Sequence, residues 1–369
     1  MLVYIHVPFC ARRCSYCDFA IAVRRDPPSA RFREAIQAEW GRRHDFQGWG
    51  ASPIVRTVYF GGGTPSRLAS GAIADLLADI REDRPIAPEA EITLEANPDD
   101  VTPESARAWR AAGINRVSLG VQSFVPRVLE WMHRTHSAEQ AHDAFTTLRE
   151  AGFENLSLDL IYGLPAALEH DWARDLEHAL TLGPEHLSLY ALTVEPRTPL
   201  GRWTARGAVI PAEQDRAAAE FLLAHRLLGQ AGFEHYEVSN AARPGFRARH
   251  NSGYWKRLPF LGLGPSAHSA SGRTRSWNRR EWEAYAQAAA SGDELLEGSE
   301  LLSDVQLELE ERYLGLRTTA GLASERLPDD TVAGWVGQGW AVVEGGRTTL
   351  TAEGWLRLDA LVASLPDDS

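Results

Sequence analysis

The chain has 369 residues, of which 44% are hydrophobic and 24% charged, and its formal net charge at pH 7 is −12. This length and composition allow one large domain and a smaller one, and they exclude a small scaffold held by disulfides. No stretch approaches the roughly 20 apolar residues that cross a bilayer. The acidic balance argues against nucleic acid as a partner, because binding to phosphates needs a basic surface.

The first residues, Met-Leu-Val-Tyr-Ile-His-Val-Pro, lack the basic start and the apolar run of a secretory signal. The chain has three cysteines, an odd number that builds no disulfide framework and suits a reducing compartment. We therefore expect a cytoplasmic protein without a transmembrane segment.

Short apolar runs alternate with longer segments of helical period through the first half of the chain. The six predicted strands are 2–7, 55–60, 91–95, 116–121, 156–161 and 186–192. The five predicted helices between them are 30–43, 70–82, 103–112, 138–151 and 172–182. Repeated β/α units predict an α/β protein with a parallel sheet, either open and doubly wound or, as we favour, a partial (β/α)6 barrel.

The second half predicts a less regular arrangement. We expect a helix at 212–228, a strand at 233–238, a connection at 241–249, helices at 306–314 and 320–326, and a hairpin of 341–344 and 348–350. A last helix opens at 351–354, and helices that close on a hairpin resemble a winged-helix arrangement. We predict a barrel at 1–235, a connecting region at 236–300 and a small C-terminal α+β domain at 301–369.

Unusual residues stand where each predicted strand ends. They are Cys10, Cys14 and Cys17; the run Gly61-Gly62-Gly63-Thr64-Pro65; Glu95; Gln122 and Ser123; Asp159; and the run Thr193-Val194-Glu195-Pro196. Taken singly, each also fits a turn or a helix cap. In β/α barrels, however, chemistry collects on the loops that follow the strands, so together they favour a site at one mouth.

The three cysteines form the most unusual cluster. Thiolates three and four residues apart on a loop can converge on one centre, and three suit a 4Fe–4S cluster with one iron left open. A structural zinc ion is the alternative, although it normally needs a fourth ligand and the nearby His6 lies on the first predicted strand. Three buried thiols without a metal are the other alternative.

The spacing Cys-x3-Cys-x2-Cys, with Tyr16 before the last cysteine, resembles the radical S-adenosylmethionine (SAM) superfamily. Within it, one branch holds oxygen-independent coproporphyrinogen III oxidase and the HemW family of heme chaperones. This chain resembles that branch over nearly its whole length, through the segments YIHVPFC, YFGGGTPS, EANP, GVQS, DLIYGLP and LGLGPSAH.

The resemblance implies that Cys10, Cys14 and Cys17 bind a 4Fe–4S cluster whose fourth iron takes the amino and carboxylate groups of SAM. The SAM-binding residues that it implies are Tyr4, Tyr16, Gly62, Gly63, Thr64, Glu95, Gln122, Arg134 and Asp159. The glycines would meet the methionine end, and Glu95 would accept the ribose hydroxyls. In this superfamily, an electron passed through the cluster can cleave SAM to a 5′-deoxyadenosyl radical.

Two features separate the chaperones from the oxidase. The oxidase has a further cysteine two places after its last cluster ligand, where this sequence has Phe19. The run His250-Asn251-x-x-Tyr254-Trp255 resembles a chaperone signature whose histidine ligates heme, and His268 is a second, weaker candidate for a heme edge. The resemblance thus implies a heme chaperone with heme on His250, an acceptor protein and an electron donor. Coproporphyrinogen III oxidase is the alternative function.

Overall fold

The computed structural model describes residues 1–43 and 54–366. The strands β1 to β17 are Leu2–Val7, Phe9–Cys10, Ala22–Val23, Val55–Gly62, Ile86–Ala96, Arg116–Gln122, Leu156–Tyr162, His186–Ala191, Glu234–Glu237, Asn240–Ala242, Phe260–Leu263, His268–Ser271, Thr274–Asn278, Leu296–Leu301, Leu322–Ala323, Ala341–Glu344 and Arg347–Leu350. The helices α1 to α14 are Ser29–Arg43, Ser70–Asp83, Pro103–Ala112, Pro126–Trp131, Ala138–Glu150, Trp172–Leu182, Pro199–Ala205, Gln214–Gln230, Arg249–Trp255, Trp282–Ser291, Asp304–Leu316, Asp329–Gly337, Ala352–Trp355 and Leu358–Ala363. Among these helices, none has the length and apolar character to cross a membrane.

Six parallel strands form the centre of a twelve-stranded sheet, in the order β1-β4-β5-β6-β7-β8. Helices lie in the connections between successive strands, as parallel pairing requires. The sheet stays open, because β1 also pairs with β11 and β8 with β10. The predicted α/β class and partial (β/α)6 barrel are confirmed, and the largest shift at an element end is in β5, which begins at Ile86 rather than 91.

Side chains on the parallel strands alternate between two faces, with the period of two that strands impose. On β1, Val3, Ile5 and Val7 are completely buried in the hydrophobic core. Tyr4 and His6 take the intervening positions and line a cavity. The alternation therefore delivers polar groups to the inner face of the partial barrel.

Strands from the second half of the chain lengthen the same sheet. β11 lies parallel to β1, and β12, β13 and β14 continue from it as antiparallel strands; we call these four strands the sheet extension. The predicted connection at 241–249 is partly wrong, since β10 pairs with β8 there and α9 begins at Arg249. A three-residue strand depends on its partner more than on its own sequence. The division of the chain at residues 235 and 300 stays a prediction.

The C-terminal part holds a small antiparallel sheet in the order β15-β17-β16, with helices beside it. The predicted hairpin is confirmed, and Gly345 and Gly346 take the positive φ values of 57° and 74° that its tight turn needs. The predicted helix at 320–326 is wrong except for one 3-10 turn at Ser324–Arg326. Gly321 has φ 59° and packs so closely on the Thr348 carbonyl that the chain turns there and pairs with β17 instead.

Candidate functional site

The ends of the parallel strands surround a cavity of about 420 Å³, which we call the strand-end cavity. All three cysteines line it, together with eight of the nine predicted SAM-binding residues: Tyr16, Gly62, Gly63, Thr64, Glu95, Gln122, Arg134 and Asp159. The ninth, Tyr4, lines a neighbouring cavity instead. The structure thus brings together residues that are as much as 149 positions apart in the chain.

The cysteine loop lies between β2 and β3, which pair as a short parallel ribbon. The hydroxyl of Thr64 donates to Sγ of Cys10 at 3.4 Å, and Nη1 of Arg134 donates to Sγ of Cys14 at 3.7 Å. Burial raises the pKa of Cys10 and raises the pKa of Cys17 to about 11. These two thiols therefore stay protonated near neutral pH until a metal centre displaces the protons.

Arg134 fixes a positive charge at the cavity. Its Nη2 donates to Oδ1 of Asn97 and to the carbonyl of Gly120, both at 2.7 Å. Together with the contact between its Nη1 and Cys14, these bonds link the ends of β5 and β6 to the cysteine loop. A guanidinium held in this way suits an anionic cluster or a carboxylate.

The glycine run lets β4 end against β1 without side chains between them. Gly62 has φ 112°, and a Cβ on it would lie 2.6 Å from the His6 ring. A Cβ on Gly63 would lie 2.8 Å from the backbone of Pro8. The close approach leaves backbone groups, rather than side chains, to face a ligand.

Glu95 is an acidic group that two donors hold at the cavity. Its carboxylate accepts from the Tyr59 hydroxyl at 2.7 Å and from the Gly62 amide at 3.0 Å. Burial nevertheless raises the pKa of Glu95 to about 7. Burial also raises the pKa of Asp159, against a hydrogen bond from Ser118.

This raised pKa predicts a pH dependence of stability. Between pH 4.5 and about 7 the folded protein keeps the Glu95 proton that the unfolded chain releases, so stability falls as the pH rises through that window. The loss amounts to about 3 kcal/mol at most. We expect Glu95→Gln to remove this pH dependence. In urea unfolding, the free energy of unfolding of the variant should therefore rise relative to that of the wild type between pH 4.5 and pH 7. A difference between the two proteins that is constant with pH would contradict this expectation.

Backbone strain marks the cavity at Gln122. This residue has φ 70°, and the pairing of β6 with β7 shifts register between Leu119 and Gln122. His133, which also lines the cavity, has φ 59°. Strained backbone of this kind concentrates at functional sites, and nothing in the sequence pattern indicates it beforehand.

His250, the predicted heme ligand, lies on α9 and is only 1% exposed. Its Nδ1 is 2.7 Å from the Thr57 hydroxyl, and its Nε2 is 2.7 Å from the Tyr254 hydroxyl. The ring stacks on Tyr59 with centroids 5.0 Å apart, and burial lowers the pKa of His250 to about 3. In this conformation both nitrogens are engaged, and the ring lines neither cavity.

The neighbouring cavity, of about 730 Å³, lies between the sheet extension and α11, and we call it the extension cavity. Its polar and aromatic lining includes His6, Trp255, Arg257, His268, Arg275 and Glu310. Sequence reasoning missed Arg257, Arg275 and Glu310, since no motif joins these distant positions. Tyr4 and His6 belong to this lining, and His6 also packs on Gly62 of the strand-end cavity, so the two cavities are adjacent.

Residues 1–43 and 54–366 contain no group of three or more histidine, cysteine or acidic side chains arranged to hold a metal ion. A cube of four irons and four sulfides is larger than an ion, so its three thiolates must border a volume rather than meet at a point. The three cysteines border such a volume, the strand-end cavity. The residues present therefore fit a cluster.

Comparisons with known proteins agree with this geometry. Residues 4–179 match the Radical SAM superfamily. The heme chaperone HemW of Mycobacterium tuberculosis is 40% identical over 372 residues, which cover 98% of this chain and 94% of that protein. HemW of Synechocystis sp. is 39% identical over 336 residues, which cover 88% of this chain and 80% of that protein.

Among solved structures, coproporphyrinogen III oxidase (HemN) from Escherichia coli has a TM-score of 0.80, at 23% identity, over 98% of this chain and 89% of that chain. This likeness shows that the chain has the same fold as the oxidase structure. The identity to the HemW proteins, sustained over most of the chain, goes further. The chain belongs to the radical SAM superfamily and, within it, to the HemW family of heme chaperones.

Proposed function

We propose that the protein is a heme chaperone that binds heme, holds a 4Fe–4S cluster with SAM, and transfers the heme to an acceptor protein. The observation that carries the proposal is the 40% identity to a heme chaperone over 98% of the chain. The alternative, coproporphyrinogen III oxidase, is disfavoured by Phe19, which is 57% exposed at the strand-end cavity where the oxidase has a cysteine.

Cys10, Cys14 and Cys17 would hold the cluster. Their thiols border one cavity, and donors from Thr64 and Arg134 already reach two of the three sulfurs. When bound, the cluster supplies one-electron chemistry to SAM. The protein's own part is to hold the thiolates, to neutralise charge through Arg134 and to limit the access of water.

SAM would lie along the strand ends beside the cluster. The backbone of Gly62, Gly63 and Thr64 borders the cavity with few side-chain atoms in the way, which suits the methionine end. Glu95, fixed by two donors, would accept hydrogens from the ribose hydroxyls. Tyr16 and Arg134 line the cavity near the cysteine loop, and Gln122 and Asp159 line it at the ends of their strands. Tyr4 lines the neighbouring cavity and would affect SAM only indirectly, through its hydrogen bond with His6.

The sequence predicts His250 as the heme ligand, and this assignment stays a prediction. An imidazole is a usual axial ligand for heme iron. To ligate iron through Nε2, His250 would have to lose its contact with the Tyr254 hydroxyl, and α9 would have to move so that the ring reaches a cavity. Ligation by His250 would therefore require a conformational change.

The remaining parts of the proposal concern partners. The heme acceptor would be a protein, and reduction of the cluster would need an electron donor. We propose a cytoplasmic location, because reducing conditions keep three free thiols available for a cluster. Nucleic acid stays disfavoured as a partner by the net charge of −12.

Anaerobic reconstitution tests the proposed function. Wild-type protein should show a visible iron–sulfur band, and an equivalent of hemin should give a shifted Soret band. An anaerobic assay with coproporphyrinogen III, SAM and a reductant should yield no protoporphyrinogen, and a Phe19→Cys variant serves as the comparison at the position that separates the branches. Protoporphyrinogen formation by the wild type would favour the oxidase. Protein purified with zinc and without sulfide would reject both functions.

A further inference from the structure

The extension cavity has the size and the walls of a site for a flat, apolar ligand. Its volume of about 730 Å³ lies within the roughly 300–1,000 Å³ typical of ligand pockets. Trp255 and Phe260 line one part of it, and Leu307 and Leu314 of α11 line another. The Tyr254-Trp255 pair of the chaperone signature thus contributes to this cavity, although His250 does not. Aromatic and aliphatic walls of this kind suit the plane of a macrocycle.

The cavity also holds three guanidinium groups. Three arginines line it, Arg257, Arg273 and Arg275, against one acidic residue, Glu310. Glu310 accepts from Arg275 at 2.7 Å and from Arg257 at 3.0 Å, so two guanidinium groups share this carboxylate. Arg257 also pairs with Glu311 at 3.2 Å, and Arg273 pairs with Asp304, so a ligand carboxylate would replace or share an existing partner of these arginines. Guanidinium groups recognise carboxylates through paired hydrogen bonds.

The imidazole of His268 lines this cavity. His268 begins β12, its side chain is exposed, and it stacks on Trp277 with ring centroids 6.0 Å apart. Among the residues described, neither of its ring nitrogens has a hydrogen-bond partner. Burial of part of the ring lowers the pKa of His268, which favours the neutral imidazole that ligates metals.

The two other histidines near the cavity have both ring nitrogens in hydrogen bonds. In His6, Nδ1 is 3.1 Å from the Tyr4 hydroxyl and Nε2 is 2.9 Å from the Ala20 carbonyl. Both nitrogens of His250 are likewise engaged, with Thr57 and Tyr254. His268 is therefore the histidine of the three that can ligate iron without rearrangement.

Backbone strain marks this cavity as it marks the strand-end cavity. Arg257 has φ 55° and Ser266 has φ 61°, and both line the extension cavity. In the described part of the chain, five non-glycine residues have positive φ, and four of them line one of these two cavities. The strain at Ser266 lies in the turn that leads to His268.

We propose that the extension cavity is the heme site, with His268, rather than the predicted His250, as the ligand of the heme iron and with Arg257, Arg273 and Arg275 facing the propionates. The inference rests on the proposed function and deepens it, since it assigns the heme to a cavity that shares the His6 wall with the strand-end cavity. A flat apolar body, two carboxylates and an iron with a free axial position match the walls, the arginines and the imidazole respectively.

Hemin titration of full-length reconstituted protein tests the ligand. We expect His268→Ala to lose the Soret shift of the ligated iron and to bind hemin at least about tenfold more weakly. His142→Ala is the matched control, because His142 is an exposed histidine on α5, away from both cavities, and it should behave like the wild type. His250→Ala, checked for folding by circular dichroism, should keep the Soret shift.

The outcomes separate the inference from the proposed function. Wild-type protein that binds no hemin would overturn the heme-chaperone function and the site with it. Hemin binding that persists in His268→Ala, or that is lost in a folded His250→Ala variant, would overturn the inference alone. Hemin dimethyl ester tests the arginines, since Arg273→Gln should weaken the binding of hemin but not of the ester. Equal weakening of both would reject the propionate contact.

Discussion

We expect Cys17→Ser to abolish the iron–sulfur absorption of the reconstituted protein and to leave it without bound sulfide. The full sequence contains three cysteines, so no other thiol can replace the lost ligand. Serine oxygen is a poor substitute, because iron–sulfur clusters are held by thiolates. The measurement is the visible spectrum together with iron and sulfide analysis of anaerobically prepared protein.

A weaker change at the same cavity provides the comparison. Thr64→Val removes the hydroxyl that donates to Sγ of Cys10 at 3.4 Å but keeps all three thiols. Hydrogen bonds to cluster sulfurs tune the reduction potential, so this variant should keep its cluster and lower that potential. A Cys17→Ser protein that retained full iron and sulfide would contradict the assignment of three cysteines. Thiols that merely fill a core would leave Thr64→Val and wild type spectroscopically alike.

The parallel core was predictable because its strands carry their own signal. In the run 156–161, for example, Leu156, Leu158 and Leu160 alternate with other residues and pack in the core, while Asp159 lines the strand-end cavity. The missed strands lack such a signal. Asn240–Ala242 and Leu322–Ala323 are three and two residues long, and each exists because a neighbouring strand offers hydrogen bonds. Pairing of that kind depends on tertiary position, which local patterns do not contain.

The strand-end cavity was predictable for a topological reason. Parallel strands with helical crossovers bring all their C-terminal ends to one edge, so residues at those ends meet whatever their distance in sequence. The extension cavity was not predictable in this way. Arg275 on β13 and Glu310 on α11 meet through packing of the sheet extension against a helix from the C-terminal part. The hydrogen bonds of His250 could not be predicted from the sequence either, because its partner Thr57 lies on a strand 193 positions away.

A buried carboxylate ties the sheet extension to the core, and its loss has the largest effect on stability that we expect. Glu39 on α1 is completely buried and accepts from the Tyr285 hydroxyl at 2.6 Å, from Nδ2 of Asn278 at 2.7 Å and from the Gly264 amide at 2.8 Å. It also pairs with Arg43 at 2.8 Å. These partners come from α1, α10, β13 and the turn after β11.

Glu39→Ala should lower the free energy of unfolding by about 3–5 kcal/mol, because it removes the acceptor of the buried Tyr285, Asn278 and Gly264 donors and the carboxylate partner of Arg43. Urea denaturation measures the loss. Glu34→Ala provides the control on the same helix, since Glu34 is exposed and its removal should change stability by no more than about 0.5 kcal/mol.

The location of the Glu39 hydrogen-bond network predicts which of the two cavities the substitution affects more. Arg43 also donates to the Ser269 hydroxyl at 3.0 Å, and Ser269 is the neighbour of His268 on β12. Glu39→Ala should therefore weaken hemin binding more than it weakens cluster assembly, because the strand-end cavity is built on other strands. Equal losses of heme and cluster would mean that the variant unfolds as a whole. An unchanged unfolding midpoint would mean that the network does not hold the sheet extension in place.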